Sequence, residues 1–135
     1  MTAQETVEKL TACGLRPTQQ RVAVYTYLQE HRTHPTAETI YQALSAVYPT
    51  FSRTTIYNSL HALVDAGLIR ALSIDPEERH FDAFLEAHGH FRCTVCGKLM
   101  DIPLDAVQGG YSLPEGYRVD NSELYLTGCC CRCAT

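Results

Sequence analysis

The run from Asp82 to Asp101, D-A-F-L-E-A-H-G-H-F-R-C-T-V-C-G-K-L-M-D, constrains this chain more than any other stretch. Its donors are sorted by type. Asp82, His88, His90 and Asp101 lie outside the Cys93-x-x-Cys96 pair. Thiolates select zinc, whereas mixed imidazole and carboxylate donors suit iron or manganese. Two metal sites of different character are therefore expected around one strand-like segment.

Cys93-x-x-Cys96-Gly97-Lys98 has the form of a zinc knuckle. A glycine after the second cysteine lets the backbone turn so that its amides point at sulfur. The matching pair is Cys130 and Cys133, inside Cys129-Cys130-Cys131-Arg132-Cys133. Thirty-three residues lie between Cys96 and Cys130, and two antiparallel strands are expected to bring the pairs together. Four thiolates with no open position make a structural site. Cys13 reads as an ordinary thiol. Cys129 and Cys131 stay open, because a register shift would swap Cys131 for a neighbour.

His88 and His90 alternate along a strand, so both imidazoles face the same side. With Asp82 before them and Asp101 after, they form a second donor set. A fifth donor is needed to approach a six-coordinate ion with one position free, and His34 is the candidate. Such a set suits Fe²⁺ or Mn²⁺. Taken singly, each histidine is an ordinary hydrogen-bonded residue. His31, His61 and His80 are read as surface or structural.

At 135 residues the chain is about one domain, or two small ones. With 45% hydrophobic and 19% charged residues it can bury a core and is not expected to be disordered. No apolar run approaches the roughly 20 residues of a membrane span, and Met1 to Cys13 lacks a signal-peptide pattern. A cytoplasmic location with no membrane partner is expected. Seven cysteines without an export signal point to metal ligation or redox chemistry rather than a disulfide framework. The net charge of −4 argues against a nucleic-acid partner, but its distribution softens that. Residues 1–70 hold six basic and five acidic side chains, and residues 71–135 hold five and ten. A basic patch in the front half can still meet phosphates.

Thr2 to Cys13 is expected as a short helix closed by Gly14. Pro17 suits the first turn of a second helix carrying Val22, Tyr25 and Leu28. Thr36 caps a third helix with Glu38 in its first turn. There Ile40, Leu44, Val47 and Tyr48 make one face, and Pro49 ends it. Ser52 caps a fourth helix with Ile56, Leu60, Leu63 and Val64 inward and Gly67 at its close. Its other face carries Arg53, Thr54, Tyr57, Asn58 and His61. Leu68 to Ile74 and Arg79 to Phe84 read as paired strands about an Asp75-Pro76 turn. Helices followed by a hairpin are the order of a winged helix-turn-helix. Beyond it, Phe91 to Ile102 has strand character, Asp105 to Gln108 a helical turn, and Tyr117 to Leu126 a further strand. The fold class is α+β: a winged helix in residues 1–84, then a small α/β dimerisation and zinc-binding domain in residues 85–135. The short rear domain is expected to gain stability from a metal and a partner subunit.

Eight fragments in order resemble the ferric uptake regulator superfamily of metal-dependent repressors. They are Gly14-Leu15-Arg16-Pro17-Thr18-x-Gln20-Arg21, His34-Pro35-Thr36-Ala37, Ile40-Tyr41, Thr54-Thr55-Ile56-Tyr57, Gly67-Leu68-Ile69, His88-x-His90, Cys93-x-x-Cys96-Gly97-Lys98 and Gly128-x-Cys130-x-x-Cys133. The resemblance implies a homodimer on a palindromic DNA operator. It implies a regulatory site of His34, Asp82, His88, His90 and Asp101, and a structural zinc on Cys93, Cys96, Cys130 and Cys133. Asp101 as the last carboxylate, together with Tyr57-Asn58, looks like the peroxide-sensing branch. Ala87, Gly89, Asn121 and Ser122 stand where relatives often have further donors, so a third metal site is not expected.

That resemblance implies a stoichiometric sensor rather than an enzyme. Fe²⁺ at the regulatory site would meet peroxide, His34 or His88 would be oxidised, and the repressor would leave DNA. The recognition helix is expected to read bases through Tyr57, with Arg53, Thr54, Thr55 and Asn58 reading or positioning. Arg16, Gln20 and Arg21 are expected on phosphates. The alternatives are an iron-uptake regulator responding to the Fe²⁺ level and a thiol switch that ejects zinc. A metal-dependent enzyme, activating water at the open position or using the cysteine-rich tail as a thiol oxidoreductase, is disfavoured, since no nucleophile–base pair and no phosphate loop are found.

Overall fold

The computed structural model describes residues 2–83, 88–103, 112–118 and 123–134; the side chains of His88 and Pro103 lie outside that description. The chain divides into two compact units, Met1–Leu85 and Glu86–Thr135.

The front unit runs α1 (Ala3–Ala12), α2 (Gln19–Glu30), α3 (Ala37–Ser45), α4 (Arg53–Asp65), β1 (Arg70–Leu72) and β2 (His80–Asp82). Each helix begins at a hydroxyl cap. Thr2, Thr18, Thr36 and Ser52 accept the N–H groups of Glu5, Arg21, Thr39 and Thr55. Each cap satisfies one of the amides that a helix start leaves unpaired, which is worth about 1 kcal/mol. α4 ends in a Schellman turn. Gly67 takes φ 75°, while its amide and that of Leu68 bond back to the carbonyls of Val64 and Leu63.

α4 packs on α2 and α3, and their apolar stripes close a core. Leu10, Val24, Leu28, Ile40, Ile56, Leu60 and Leu63 are essentially solvent-free. Each such side chain stabilises the unit by about 1.5–3 kcal/mol relative to exposure. β1 and β2 pair antiparallel with Arg70 opposite Asp82 and Leu72 opposite His80. This is a winged helix-turn-helix, with α4 in the recognition position.

Three boundaries differ from expectation. Pro17 precedes the Thr18 cap instead of sitting in the first turn of α2, because the Thr18 hydroxyl caps the helix one residue later. α3 stops at Ser45, four residues before Pro49. Val47 is consequently 67% exposed, and Tyr48 stacks on Phe51 with ring centroids 4.5 Å apart. The wing strands are three residues each; Leu68 and Ile69 turn into the core instead of extending the hairpin.

The rear unit is a three-stranded sheet of β3 (His88–Cys93), β4 (Leu99–Pro103) and β5 (Tyr125–Gly128), ordered β4-β3-β5. β3 and β4 form an antiparallel hairpin. β3 and β5 are parallel, with Cys93 opposite Gly128, which corrects the antiparallel expectation. Parallel neighbours end at the same sheet edge, so the cysteine pairs following each strand meet without a hairpin between them. The last strand is also shorter than Tyr117 to Leu126, since residues 123–124 and 112–118 carry no strand. Asp105 to Gln108 lies outside the described residues. Among the described residues, no helix is long and apolar enough to cross a membrane.

Candidate functional site

Four cysteines converge at the end of the parallel pair. The sulfurs of Cys93, Cys96, Cys130 and Cys133 all lie within 4.8 Å of one another. Cys96 Sγ and Cys130 Sγ are 3.8 Å apart, close to the roughly 3.8 Å edge of a tetrahedron whose metal–sulfur bonds are about 2.3 Å. The knuckle turns as its glycine requires. Gly97 adopts φ 78° and its amide bonds to the Cys93 carbonyl at 2.9 Å. The amides of Cys96 and Cys130 donate to Cys93 Sγ at 3.4 and 3.5 Å. Those two donors hold the Cys93 thiol down to about 5, with the Cys96 amide the larger effect. Cys133 is pushed up to about 12, first by its contact with the Cys130 sulfur and then by that with Cys93. Thiolates this close repel one another, and a divalent ion among them would offset much of that repulsion. The set has no open position, and it fits a structural zinc. Cys129 and Cys131 stand outside it and are exposed, as is Cys13.

Each unit also sets a buried imidazole against a carboxylate. In the rear unit, antiparallel register sets His90 directly opposite Asp101. His90 Nε2 lies 3.4 Å from Asp101 Oδ1, with the histidine only 2% exposed. The His90 amide bonds to the Leu124 carbonyl of the β5 side at 3.0 Å. Gly89 lets the chains approach here, because a Cβ at Gly89 would stand 3.1–3.2 Å from Leu124 atoms. His88 begins β3, but its side chain lies outside the described residues.

In the front unit His34 and Asp82 face each other, Nε2 to Oδ2 at 3.7 Å, at 5% and 3% exposure. The chain reaches this geometry by a corner. His34 has φ 59°, a left-handed conformation that non-glycine residues adopt at a cost and that surrounding bonds must enforce. The wing supplies those bonds. His80 Nδ1 lies 2.6 Å from the His34 carbonyl, the Phe81 amide donates to the Pro35 carbonyl at 2.9 Å, and Thr36 bridges to His80. His80 Nε2 in turn meets Asp75 Oδ2 at 2.9 Å. Both pairs have the separation, about 3–4 Å, that two bonds of about 2.1 Å to one ion would leave between nitrogen and oxygen donors. Their donor types suit iron or manganese.

The face of α4 sorts the remaining residues. Arg53, Thr54, Tyr57, Asn58 and His61 are exposed and Ile56, Leu60 and Leu63 buried. Tyr57 is 53% exposed while bordering a cleft with His61, Arg79 and Phe81 toward the wing. Gln20, Arg21, Thr55 and Asn58 share a second cleft of about 200 Å³ between the start of α2 and α4. Arg21 Nη1 donates to the Arg16 carbonyl at 3.1 Å, which holds the loop carrying Arg16 against α2. Arg53 is placed differently. Its Nε and Nη2 donate to Glu38 at 3.1 and 3.0 Å, and its guanidinium lies 4.5 Å from the centroid of the Tyr41 ring. That bidentate bond holds the Glu38 carboxyl down to about 2. The sequence placed Glu38 only at a helix dipole, and it left His80 as surface or structural without naming a partner. Their partners are 15 and 46 residues away, and no local spacing signals such pairs.

The ferric uptake regulator family matches residues 12–127. The peroxide operon regulator of Bacillus subtilis (strain 168) is 34% identical over 134 residues, covering 97% of this chain and 92% of that protein. The peroxide-responsive repressor PerR of Staphylococcus epidermidis is 35% identical over 133 residues, covering 96% and 89%. Among solved structures, the ferric uptake regulator from Pseudomonas aeruginosa with manganese superposes with TM-score 0.78 at 25% identity, over 97% of this chain and 99% of that one. The chain thus belongs to the ferric uptake regulator family.

Proposed function

We propose that this chain is a metal-dependent transcriptional repressor that senses peroxide. The front unit binds a double-stranded, palindromic DNA operator, and the rear unit dimerises and holds a structural zinc. The observation that carries the reading is the buried His34–Asp82 pair, fastened to the wing of a DNA-binding fold. A solvent-screened imidazole facing a carboxylate suits metal ligation. The names of the relatives, a peroxide operon regulator and a peroxide-responsive repressor, point the same way. They describe regulators, and no turnover is assigned to this chain. Its place of action is the cytoplasm, where the DNA is.

In this reading one regulatory Fe²⁺ or Mn²⁺ takes ligands from both units: His34 and Asp82 from the front, His88, His90 and Asp101 from the rear. Ferrous iron, when bound, supplies the one-electron chemistry that makes peroxide the signal. The residues do the rest. His34 ties the DNA-binding unit to the donors of the rear unit, which selects one arrangement of the two and so one spacing of recognition helices in the dimer. α4 enters the major groove with Tyr57 toward base edges and Thr54, Thr55 and Asn58 beside it. Gln20 and Arg21, with Arg16 behind them, line the cleft that meets the backbone. Oxidation of His34 or His88 removes a nitrogen donor and frees the front unit.

The test is duplex binding with Fe²⁺ and with Mn²⁺, each before and after peroxide, with mass spectrometry of the product. Either metal should support binding. Peroxide should abolish it for the iron form alone, with one oxygen added to a peptide containing His34 or His88. Release by chelation but not by peroxide would replace this reading with an iron-level regulator. Zinc loss under mild peroxide would replace it with a thiol switch.

A further inference from the structure

Arg53 heads the recognition helix, one turn before Tyr57 on the same exposed face. It is the α4 cation best placed to add a phosphate contact. Yet its Nε/Nη2 edge is taken by both oxygens of Glu38 and one face by Tyr41. Gln42 donates at 2.9 Å to Glu38 Oε1, the oxygen that also accepts from Arg53 Nη2. The pair is fork to fork, the strongest geometry available to an arginine and a carboxylate. It carries no net charge toward DNA.

We propose that Glu38 is a specificity-determining residue that withholds Arg53 from the phosphate backbone. The proposal rests on the DNA-binding reading of α4. Non-specific affinity follows the number of phosphates neutralised, whereas sequence is read at base edges. A cation locked to an acid on α3 lowers the first without touching the second. Tyr57 and Asn58 thereby contribute a larger share of the discrimination between operator and other DNA. The surrounding charge makes one withheld cation count, since residues 1–70 hold only six basic side chains.

The test is the salt dependence of binding to a mixed-sequence duplex of roughly 30 base pairs, about the length of two half-sites with flanks. It uses the full-length, Mn²⁺-loaded protein and the variants Glu38→Gln and Glu38→Gln/Arg53→Gln. Both residues are exposed, so the variants should keep the wild-type circular dichroism. Each added phosphate contact steepens the plot of log affinity against log salt by about 0.9. Glu38→Gln should steepen it by that amount per protomer engaged, and the double variant should return to the wild-type slope. A Glu38→Gln slope equal to wild type overturns the proposal. So does a double variant as steep as the single one, which would mean plain repulsion by Glu38, or one flatter than wild type, which would mean Arg53 already sits on a phosphate. A wild type that binds no duplex at all would defeat the DNA-binding reading itself, and the proposal with it.

Discussion

Single side chains carry the distinction between reading DNA and holding it. Tyr57 is half-exposed above the cleft to the wing, so its phenol is free to leave protein contacts for a base edge. Tyr57→Ala should weaken operator binding by about 1–3 kcal/mol while the metal content stays unchanged, as titration calorimetry and metal analysis would show. Unaltered affinity would leave Tyr57 a packing role against the wing. Glu38 gives a second check, on the structure itself. Its folded pKa is depressed to about 2 by Arg53, so its ion pair is intact at neutral pH and opens only as pH falls toward that value. A carboxyl NMR titration should place the Glu38 midpoint well below that of an ordinary glutamate, and Arg53→Gln should raise it, with the Gln42 hydrogen bond still holding it down in part. Neither role was legible as a pair from residue order. Thr54, Tyr57 and Asn58 announced themselves by helical spacing, but the Glu38–Arg53 bond depends on how α3 lies against α4.

Elements were more legible than contacts, for a physical reason. Helix starts are local chemistry, and the Thr36 and Ser52 caps were readable because a hydroxyl needs only the amide three residues on. Strand ends and directions are not local. The wing came out shorter because Leu68 and Ile69 do better in the core. β5 lies parallel to β3 because register is set across the sheet, between residues more than thirty apart. The His34 corner is a further case. Nothing before Pro35 marks a left-handed residue, and the wing enforces it through His80. His80→Ala removes that donor, and with His34 in its proposed ligand role the loss of such an outer partner typically costs about 10–100-fold in affinity. Mn²⁺ titration should show a loss of that order with zinc content unchanged, and wild-type Mn²⁺ affinity would show that the corner holds without it.

At the scale of the molecule, the two units are stabilised by different means. The front unit has an apolar core. The rear unit gathers four sulfurs at the edge of a three-stranded sheet, and a small sheet of this kind depends on its metal. Cys96→Ser, at the exposed corner of the cluster, should abolish tight zinc binding. Hydrogen exchange should then show the amides of β3 to β5 losing protection while α2 and α4 keep theirs. Equal loss in both units would mean that the front core does not stand alone.

Three residues of β2 serve two masters: His80 and Phe81 pin the corner at His34, and Asp82 faces that histidine's ring. With His34 and Asp82 as the proposed ligands, retuning the sensor to another ion by reshaping this segment would also move the wing. On that assignment selectivity and operator grip would be inherited together, and a variant chosen for one should be screened for the other.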